Sequence, residues 1–183
     1  GGRHIVNLLT TSGLSVTFGG LRAVNEVDLE VEQGKLVGLL GPNGAGKTTF
    51  IDAITGFVPT TGRIEFKDIE IGPLPVHKRA RLGLGRTWQS LELFDDLTIE
   101  ENVQVAAEKQ TTGSFLLDLV RPGRRRDRDG VDFAFEVLGI GDLANKHPNE
   151  ISQGQRKLVS AARALAARPD LVCMDVPNLA QQP

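Results

Sequence analysis

The chain has 183 residues, of which 40% are hydrophobic and 24% are charged, and its formal net charge is −2 at pH 7. This composition predicts a soluble globular protein with one core and room for a smaller lobe, and it excludes the basic surface of a general nucleic-acid-binding protein. No apolar run approaches the roughly 18 residues that cross a bilayer, and no secretory signal opens the sequence. The single cysteine, Cys173, excludes an internal disulfide, and its apolar neighbours predict a buried, unreactive thiol.

The first part of the chain predicts β-structure. Residues 14–32 alternate apolar and polar side chains around Gly19-Gly20, which predicts two strands joined by a turn. Residues 36–40, LVGLL, are a continuous apolar run, typical of a strand that is buried on both faces. Residues 62–71 alternate again and predict a further strand.

A helix is predicted directly after the glycine-rich residues 41–48. Phe50, Ile51 and Ile54 share one face of it, and Gly56 is a typical helix terminator.

The pattern changes to helices and loops from about Leu91. Thr98 and Glu101 have the spacing of a capping box, with Val103 and Val105 in the helix behind it. A charged loop is predicted over 121–130. Four apolar residues at the i, i+3, i+4, i+7 spacing then predict a helix: Val131, Ala134, Phe135 and Leu138.

A last helix is predicted over 153–167, and Pro169 stops it. Residues 171–174, LVCM, predict a second fully buried strand, which ends at Asp175. The apolar side of the helix is expected to consist of Leu158, Ala161, Ala162 and Leu165.

Strand, glycine loop and helix, followed by a distant apolar strand that ends in an aspartate, predict an α/β fold with a partly parallel sheet. The helical stretch 91–150 lies between the two central strands in the sequence, so we expect it to form a separate lobe.

The residues 41–48, GPNGAGKT, match the phosphate-binding pattern G-x-x-x-x-G-K-[ST] in full. Glycines let successive N–H groups converge on an anion, and the helix that follows adds its positive end. Lys47 supplies a point charge for the outer phosphates, and Thr48 offers a hydroxyl to Mg²⁺. Asp175 is expected to steer a Mg²⁺-bound water near the phosphates. A phosphate loop alone fits GTPases, kinases, helicases and transport motors equally.

Phe18 lies at the edge of the Gly19-Gly20 turn. An exposed aromatic ring there could stack on a purine. Spacing alone leaves a core-facing ring as the alternative.

Three further stretches narrow the choice: SQGQR at 152–156, RTWQ at 86–89 and the apolar strand with its acid at 171–175. Their order resembles the ATP-binding subunits of ATP-binding-cassette (ABC) transporters. The finer resemblance is to the branched-chain amino acid importer ATPases, the LivG-like group, although importers of urea and short amides share the same phrases. It is carried by FGGLRAV (18–24), RLGLGRTWQ (81–89), LFDDLTIEENV (93–103) and ISQGQRKLVSAARALAARPDLVCMD (151–175).

The resemblance implies a P-loop NTPase fold with an ABC-type ATPase core: a mostly parallel sheet, an antiparallel β subdomain and an inserted helical lobe. It implies a β subdomain with the P-loop part of the core over 1–90 and the helical lobe over 91–150. The signature helix and the Asp175 strand then occupy 151–183, and the C-terminal part of the domain is expected to be missing.

The resemblance also implies residue roles. Phe18 is similar to the adenine-stacking aromatic, and Gln89 to the residue that touches Mg²⁺ and the attacking water. Gln89 and Lys47 are the catalytic candidates, and the metal candidates are Thr48, Gln89 and Asp175. The ATP-binding candidates are Phe18, Gly41, Pro42, Asn43, Gly44, Ala45, Gly46, Lys47, Thr48 and Thr49. The SQGQ stretch resembles the signature that closes on the γ-phosphate of an opposite subunit, and it consists of Ser152, Gln153, Gly154 and Gln155.

Ser152 precedes a predicted helix, so it is also a candidate N-cap.

The implied cofactors are ATP and Mg²⁺. The implied partners are a second ABC ATPase subunit, identical or different, and transmembrane permease subunits, with a solute-binding protein only indirectly involved and no nucleic acid. The implied place is the cytoplasmic face of the inner membrane, where ATP-dependent dimer closure drives import, with branched-chain amino acids as the expected solute.

One position departs from the family pattern. The metal-binding aspartate is usually followed by a glutamate that polarises the attacking water, and here Val176 and Pro177 follow Asp175. No counterpart of the family's switch histidine is present, since His4, His77 and His147 lie elsewhere. We therefore expect a chain that binds Mg·ATP and hydrolyses it poorly, as a truncated or altered chain would. The alternatives are a hydrolysis-deficient nucleotide-binding fragment, a nucleotide-sensing module and a non-transport ABC protein.

An arginine-rich loop contains interspersed Asp127 and Asp129. A solvated loop is expected, with lipid headgroup contact as the alternative. Its arginines are Arg124, Arg125, Arg126 and Arg128.

Overall fold

The structure is a computed structural model, which describes residues 7–87, 93–107 and 128–175. The chain divides into two units, Gly1–Leu84 and Gly85–Pro183. The division into three parts that the resemblance implied stays a prediction. No helix among the described residues is both long and apolar enough to cross a membrane.

A four-stranded antiparallel sheet forms much of the first unit. Its strands, in the spatial order β2-β1-β3-β4, are β1 (Asn7–Phe18), β2 (Leu21–Glu32), β3 (Thr61–Phe66) and β4 (Ile69–Glu70). The two strands predicted over 14–32 are confirmed as β1 and β2, and β1 extends the first of them back to Asn7. This sheet is the expected antiparallel β subdomain.

The single strand predicted over 62–71 is wrong, because the chain reverses within it. Lys67 and Asp68 both have positive φ, 52° and 61°, and they join β3 to β4 as a two-residue hairpin turn. The alternating pattern continues through the turn, so periodicity alone did not reveal the reversal.

Helix α1, Lys47–Thr55, confirms the helix predicted after the glycine loop. Phe50, Ile51 and Ile54 are buried, and Gly56 ends the helix in the left-handed conformation with φ 90°. The buried side chains of the neighbouring sheet strands β1 and β3 include Leu9, Leu14, Val16, Ile64 and Phe66.

The buried strand predicted at 36–40 is wrong. The segment is irregular, and the side chains of Leu36 and Leu40 are 100% and 96% exposed. A strand of this type is stable when hydrogen-bonded neighbours cover both of its edges. Among the described residues, no strand pairs with this segment.

Two short elements were not predicted. Helix α2, Val76–Arg81, and strand β5, Leu84–Arg86, follow the sheet and are separated by Gly83, which has a φ of 103°. Six and three residues are too few to display a hydrophobic period.

Helices form most of the second unit. They are α3 (Ile99–Ala107), α4 (Asp129–Leu138) and α5 (Gln153–Ala166), with short 3-10 helices at Gly141–Leu143 and Pro148–Glu150. One hydrophobic core joins them, and it contains Ile99, Val103, Val131, Ala134, Ile140, Leu143, Ile151, Val159, Ala162 and Ala166.

The predicted start of α3 is confirmed. The carboxylate of Glu101 accepts hydrogen bonds from the backbone N–H and the hydroxyl of Thr98, at 2.8 and 3.0 Å, and the N–H of Glu101 donates to the Thr98 hydroxyl at 3.2 Å. The helix predicted from the Val131 stripe is confirmed as α4, although residues 121–127 of the preceding loop lie outside the described residues.

The predicted buried face of α5 is confirmed in part, since Ala162 is buried and Leu165 packs partly buried against the core. Val159, Ala162 and Ala166 are buried, whereas Leu158 is 40% exposed. Four alanines in the helix give it a weak apolar stripe, so the sequence left the limits of its buried side open.

The second predicted core strand is present but less buried than expected. Strand β6, Leu171–Cys173, pairs with β5 in a two-stranded sheet; its three residues are half-buried, and Met174 is exposed. The first predicted core strand, at 36–40, is not a strand, so among the described residues the two predicted core strands do not pair.

Two helical glycines, one packed against a neighbouring helix and one with room for a side chain, should respond differently to substitution by alanine. A Cβ added to Gly130 would overlap the carbonyl oxygen of Ala166, whereas the nearest atom to one added at Gly154 is the hydroxyl of Ser152, 3.9 Å away. We expect Gly130→Ala to lower the free energy of unfolding by about 1–3 kcal/mol. Gly154→Ala should leave it unchanged or raise it by up to about 1 kcal/mol. Urea unfolding monitored by circular dichroism measures both, and equal stabilities of the two variants would contradict the described packing.

Candidate functional site

The glycine loop at 41–48 adopts a backbone that side chains resist. Gly44 and Gly46 have φ values of 81° and 82°, in the left-handed region that favours glycine. A Cβ on Gly46 would also overlap the carbonyl oxygen of Ala23 in β2. The loop therefore turns sharply against the sheet immediately before α1 begins.

The first turn of α1 is open to an anion. Gly46 is the N-cap residue, no side chain among the described residues caps the helix, and no acidic residue lies in its first turn. The first N–H groups of a helix have no partner within it, and they carry the positive end of its dipole. Backbone donors and a favourable dipole therefore coincide at Lys47, Thr48 and Thr49.

The ammonium group of Lys47 lies against its own loop. Its Nζ donates to the carbonyl oxygens of Gly41 and Pro42, both at 2.7 Å. An ammonium group has three hydrogens, so among the described residues one of them remains for a phosphate oxygen. Thr48 is exposed, and its hydroxyl is an oxygen ligand of the type that Mg²⁺ prefers.

Asp175 directly follows the β6 region, as its candidate role requires. Its Oδ2 is buried and has no hydrogen-bond partner among the described residues. A buried carboxylate oxygen without a donor is unfavourable, and a bound cation would satisfy it. The described residues contain no cluster of three or more His, Cys, Asp or Glu side chains that could hold a metal by themselves. A Mg²⁺ that arrives with nucleotide phosphates needs only one or two protein carboxylates, so Asp175 and Thr48 each, taken separately, have the donor chemistry that fits it.

Phe18 does not face the core. It ends β1, pairs with Leu21 across the turn, and has 47% of its surface exposed. The core-facing alternative is therefore excluded, and stacking on a purine stays a prediction.

Ser152 caps helix α5. Its Oγ accepts a hydrogen bond from the N–H of Gln155 at 3.2 Å, and the Gln155 side chain accepts one from the N–H of Ser152 at 2.8 Å. Ser152, Gln153 and Gly154 are exposed. The N-terminal end of α5, with residues 152–154, therefore faces solvent. The contact of these residues with another subunit stays a prediction.

A comparison with protein families identifies the family of the chain. Residues 24–178 match the family described as ABC transporter. The chain belongs to the ABC transporter family.

Relatives extend this assignment. The chain is 38% identical over 182 residues to the "high-affinity branched-chain amino acid transport ATP-binding protein BraF" of Pseudomonas aeruginosa, covering 96% of this chain and 71% of that protein. The LivG protein of Escherichia coli K12 gives the same identity and coverage. The "lipopolysaccharide export system ATP-binding protein LptB" of the same strain is 36% identical over 170 residues, with 92% and 67% covered. This ABC protein is thus a homologue of ATP-binding subunits of branched-chain amino acid transporters.

Solved structures confirm the α/β P-loop ATPase fold. A nucleotide-free ATP-binding cassette from an ABC transporter superposes with a TM-score of 0.78 at 28% identity, covering 96% of this chain and 71% of that one. An ATP-binding cassette in its ADP conformation gives a TM-score of 0.74 at 27% identity, with 91% and 67% covered.

Several residues that the sequence analysis singled out lie outside the part of the chain that the structure describes. Gln89, Val176 and the arginines at 124–126 lie outside the described residues. Arg128 is exposed and forms an ion pair with Glu100 at 3.4 Å.

Cys173 of β6 is half-buried rather than fully buried. Burial raises the pKa of its thiol to about 11, and the nearby charge of Arg86 opposes that shift.

Sequence patterns missed one buried charged residue of the first unit. Arg79 in α2 is 4% exposed and belongs to no motif. A buried arginine in a six-residue helix has no sequence signature, so only the structure reveals it.

The cap of α5 predicts the effect of a single substitution. Ser152→Ala removes the acceptor for the Gln155 N–H and should lower the free energy of unfolding by about 1 kcal/mol. Ser152→Asp keeps a capping oxygen and should retain most of the stability. Chemical denaturation of the ABC protein measures both, and an alanine variant as stable as the unaltered chain would contradict the role of the cap.

Proposed function

We propose that this chain is the ATP-binding and ATP-hydrolysing subunit of an importer whose cargo is a branched-chain amino acid. The observation that carries the proposal is the uncapped start of α1 behind the glycine loop, together with the Lys47 ammonium bound to the loop carbonyls of Gly41 and Pro42. ABC-family ATPases bind ATP, typically with Mg²⁺, and this start of α1 provides the donors that phosphates need.

The proposed nucleotide site uses residues 41–49 for the phosphates and Phe18 for the adenine. Thr48, Gln89 and Asp175 would hold Mg²⁺ and the attacking water. The cation supplies charge neutralisation of the phosphates when it is bound. The described residues contribute a preshaped loop, an exposed Thr48 hydroxyl and a buried Asp175 oxygen without a hydrogen-bond donor.

The proposed mechanism of transport requires two ATPase subunits. The start of α5, where residues 152–154 are exposed and Gln155 is half-buried, offers a hydroxyl and helix N-terminal amides. In a head-to-tail dimer these groups would bind the γ-phosphate held by the opposite subunit. ATP-dependent closure of that dimer would then drive transmembrane permease subunits, with this chain peripheral on the cytoplasmic face.

The proposed solute rests on the relatives. Two named branched-chain amino acid transport proteins match at 38% identity over 96% of the chain. The lipopolysaccharide export protein matches at 36%. Sequence identity therefore distinguishes relatives that carry different solutes by only a small margin. An ATPase of a urea or amide importer is the second candidate.

We further infer that hydrolysis by this chain is slow. Valine at position 176 has no lone pair with which to accept a proton from water, whereas the family pattern has glutamate there. Loss of a positioned general base commonly costs about 10²- to 10⁴-fold in rate.

Lys47→Ala tests the nucleotide site. The variant loses a charged donor, so its affinity for Mg·ATP should fall by about 10- to 100-fold. Isothermal titration calorimetry measures this affinity. Lys35→Ala removes an equal charge from the exposed turn after β2 and should leave binding unchanged. Binding of Mg·ATP that is insensitive to Lys47→Ala would refute the proposed site.

Val176→Glu tests the inferred loss of the base. Restoring a carboxylate should increase phosphate release by up to about 10²- to 10⁴-fold, as measured by a malachite-green assay. Val176→Gln introduces a side chain of about the size of glutamate but without a carboxylate, so phosphate release by this variant should remain slow. A chain with Val176 that turns over as fast as the glutamate variant would overturn this inference.

A further inference from the structure

Arg79 is a charged residue buried within the first unit. Only 4% of it is exposed, and burial lowers the pKa of its guanidinium from the usual value. Each of its nitrogens donates to backbone carbonyl oxygens: Nε to Leu74 at 2.8 Å, Nη2 to Gly72 at 2.8 Å, and Nη1 to Ala53 and Ile54 at 2.8 and 2.7 Å.

Two of these carbonyls belong to the last turn of α1. The last carbonyls of a helix have no partner within it and carry the negative end of its dipole, where a cation is favourable. Helix α1 has nine residues and is about 13 Å long. The guanidinium therefore fixes one end of the helix, and the open anion-binding turn forms the other.

Gly56 shapes the space that the guanidinium occupies. A Cβ at this position would lie 2.9 Å from Nε and 3.1 Å from Cζ of Arg79. Gly56, which ends α1, therefore leaves the space that the Arg79 guanidinium needs to reach the α1 carbonyls.

The same side chain also binds the residues just before α2. Arg79 lies in α2, and it binds the carbonyls of Gly72 and Leu74 just before that helix. Strand β5 follows α2 and ends at Arg86, three residues before Gln89 in the sequence. One guanidinium therefore connects the C-terminal end of α1 to α2 and to the residues just before α2.

We propose that Arg79 is a positioning residue for nucleotide binding: its guanidinium anchors the C-terminal end of α1 to α2 and thereby keeps the N-terminal end of α1 in place for the phosphates. This inference rests on the proposed function, in which the start of α1 binds Mg·ATP. Arg79 itself touches neither phosphate nor metal in this account.

The affinity of folded variants for Mg·ATP tests the proposal. Arg79→Met keeps the length of the side chain but removes all of its donors, and its affinity should fall by about 5- to 30-fold. Arg79→Lys retains the charge without the planar fork and should lose less. Arg81→Met removes an exposed arginine from the same helix and should bind as the unaltered chain does. Calorimetry is performed on material whose fold circular dichroism has verified.

A second readout separates positioning from stability alone. In Arg79→Met, the amide resonances of Gly44, Gly46 and Lys47 should shift in ¹⁵N–¹H spectra, although these residues lie at the opposite end of α1. Arg81→Met should leave them in place. If Arg79 were merely structural, its loss would lower the stability and leave both the affinity of the folded protein and these resonances unchanged. That result overturns the inference.

Gly56→Ala provides a variant that keeps the arginine. Its methyl group would displace the guanidinium from the α1 carbonyls, so the affinity for Mg·ATP should fall even where Arg79→Met does not fold. Unchanged affinity in folded Gly56→Ala overturns the inference. Failure of the unaltered chain to bind Mg·ATP overturns the proposed function itself, whereas normal binding that is insensitive to Arg79 and Gly56 overturns only the positioning role.

Discussion

The start of helix α1 depends on one close approach, between the carbonyl oxygen of Ala23 and the α-carbon of Gly46. A side chain at position 46 would overlap that oxygen, and the φ of 82° is unfavourable for any residue other than glycine. The sheet therefore sets where the helix begins. The first-turn amides of α1 and the ammonium of Lys47 take their places from this contact, so a strand of the first unit supports the whole N-terminal end of α1.

Features that follow local rules could be predicted from the sequence. The Thr98–Glu101 capping box, the left-handed glycine that ends α1 and the β1–β2 hairpin each depend on a few neighbouring residues. The phosphate loop belongs to the same class, because its glycines, lysine and threonine lie at fixed spacing. The family resemblance drawn from such stretches is confirmed by the match over 24–178.

Features that depend on distant partners could not be predicted in the same way. The apolar run at 36–40 has the composition of a central strand, yet strand formation also requires neighbours, and the described residues provide none. The side of α5 that faces the core is set by packing against α3 and α4, since its many alanines fit either side. Arg79 is the clearest case near the C-terminal end of α1, because its partners are backbone carbonyls, which leave no trace in the choice of amino acids.

The two bonds from Lys47 to its own loop also bear on how a product would leave. An ammonium that already has carbonyl partners at 2.7 Å is not stranded when the nucleotide departs. The two bonds tie the loop to the first residue of α1, so in the proposed function the phosphates bind and leave a loop that its own lysine braces. This bracing would oppose rearrangement of the loop during nucleotide binding and release.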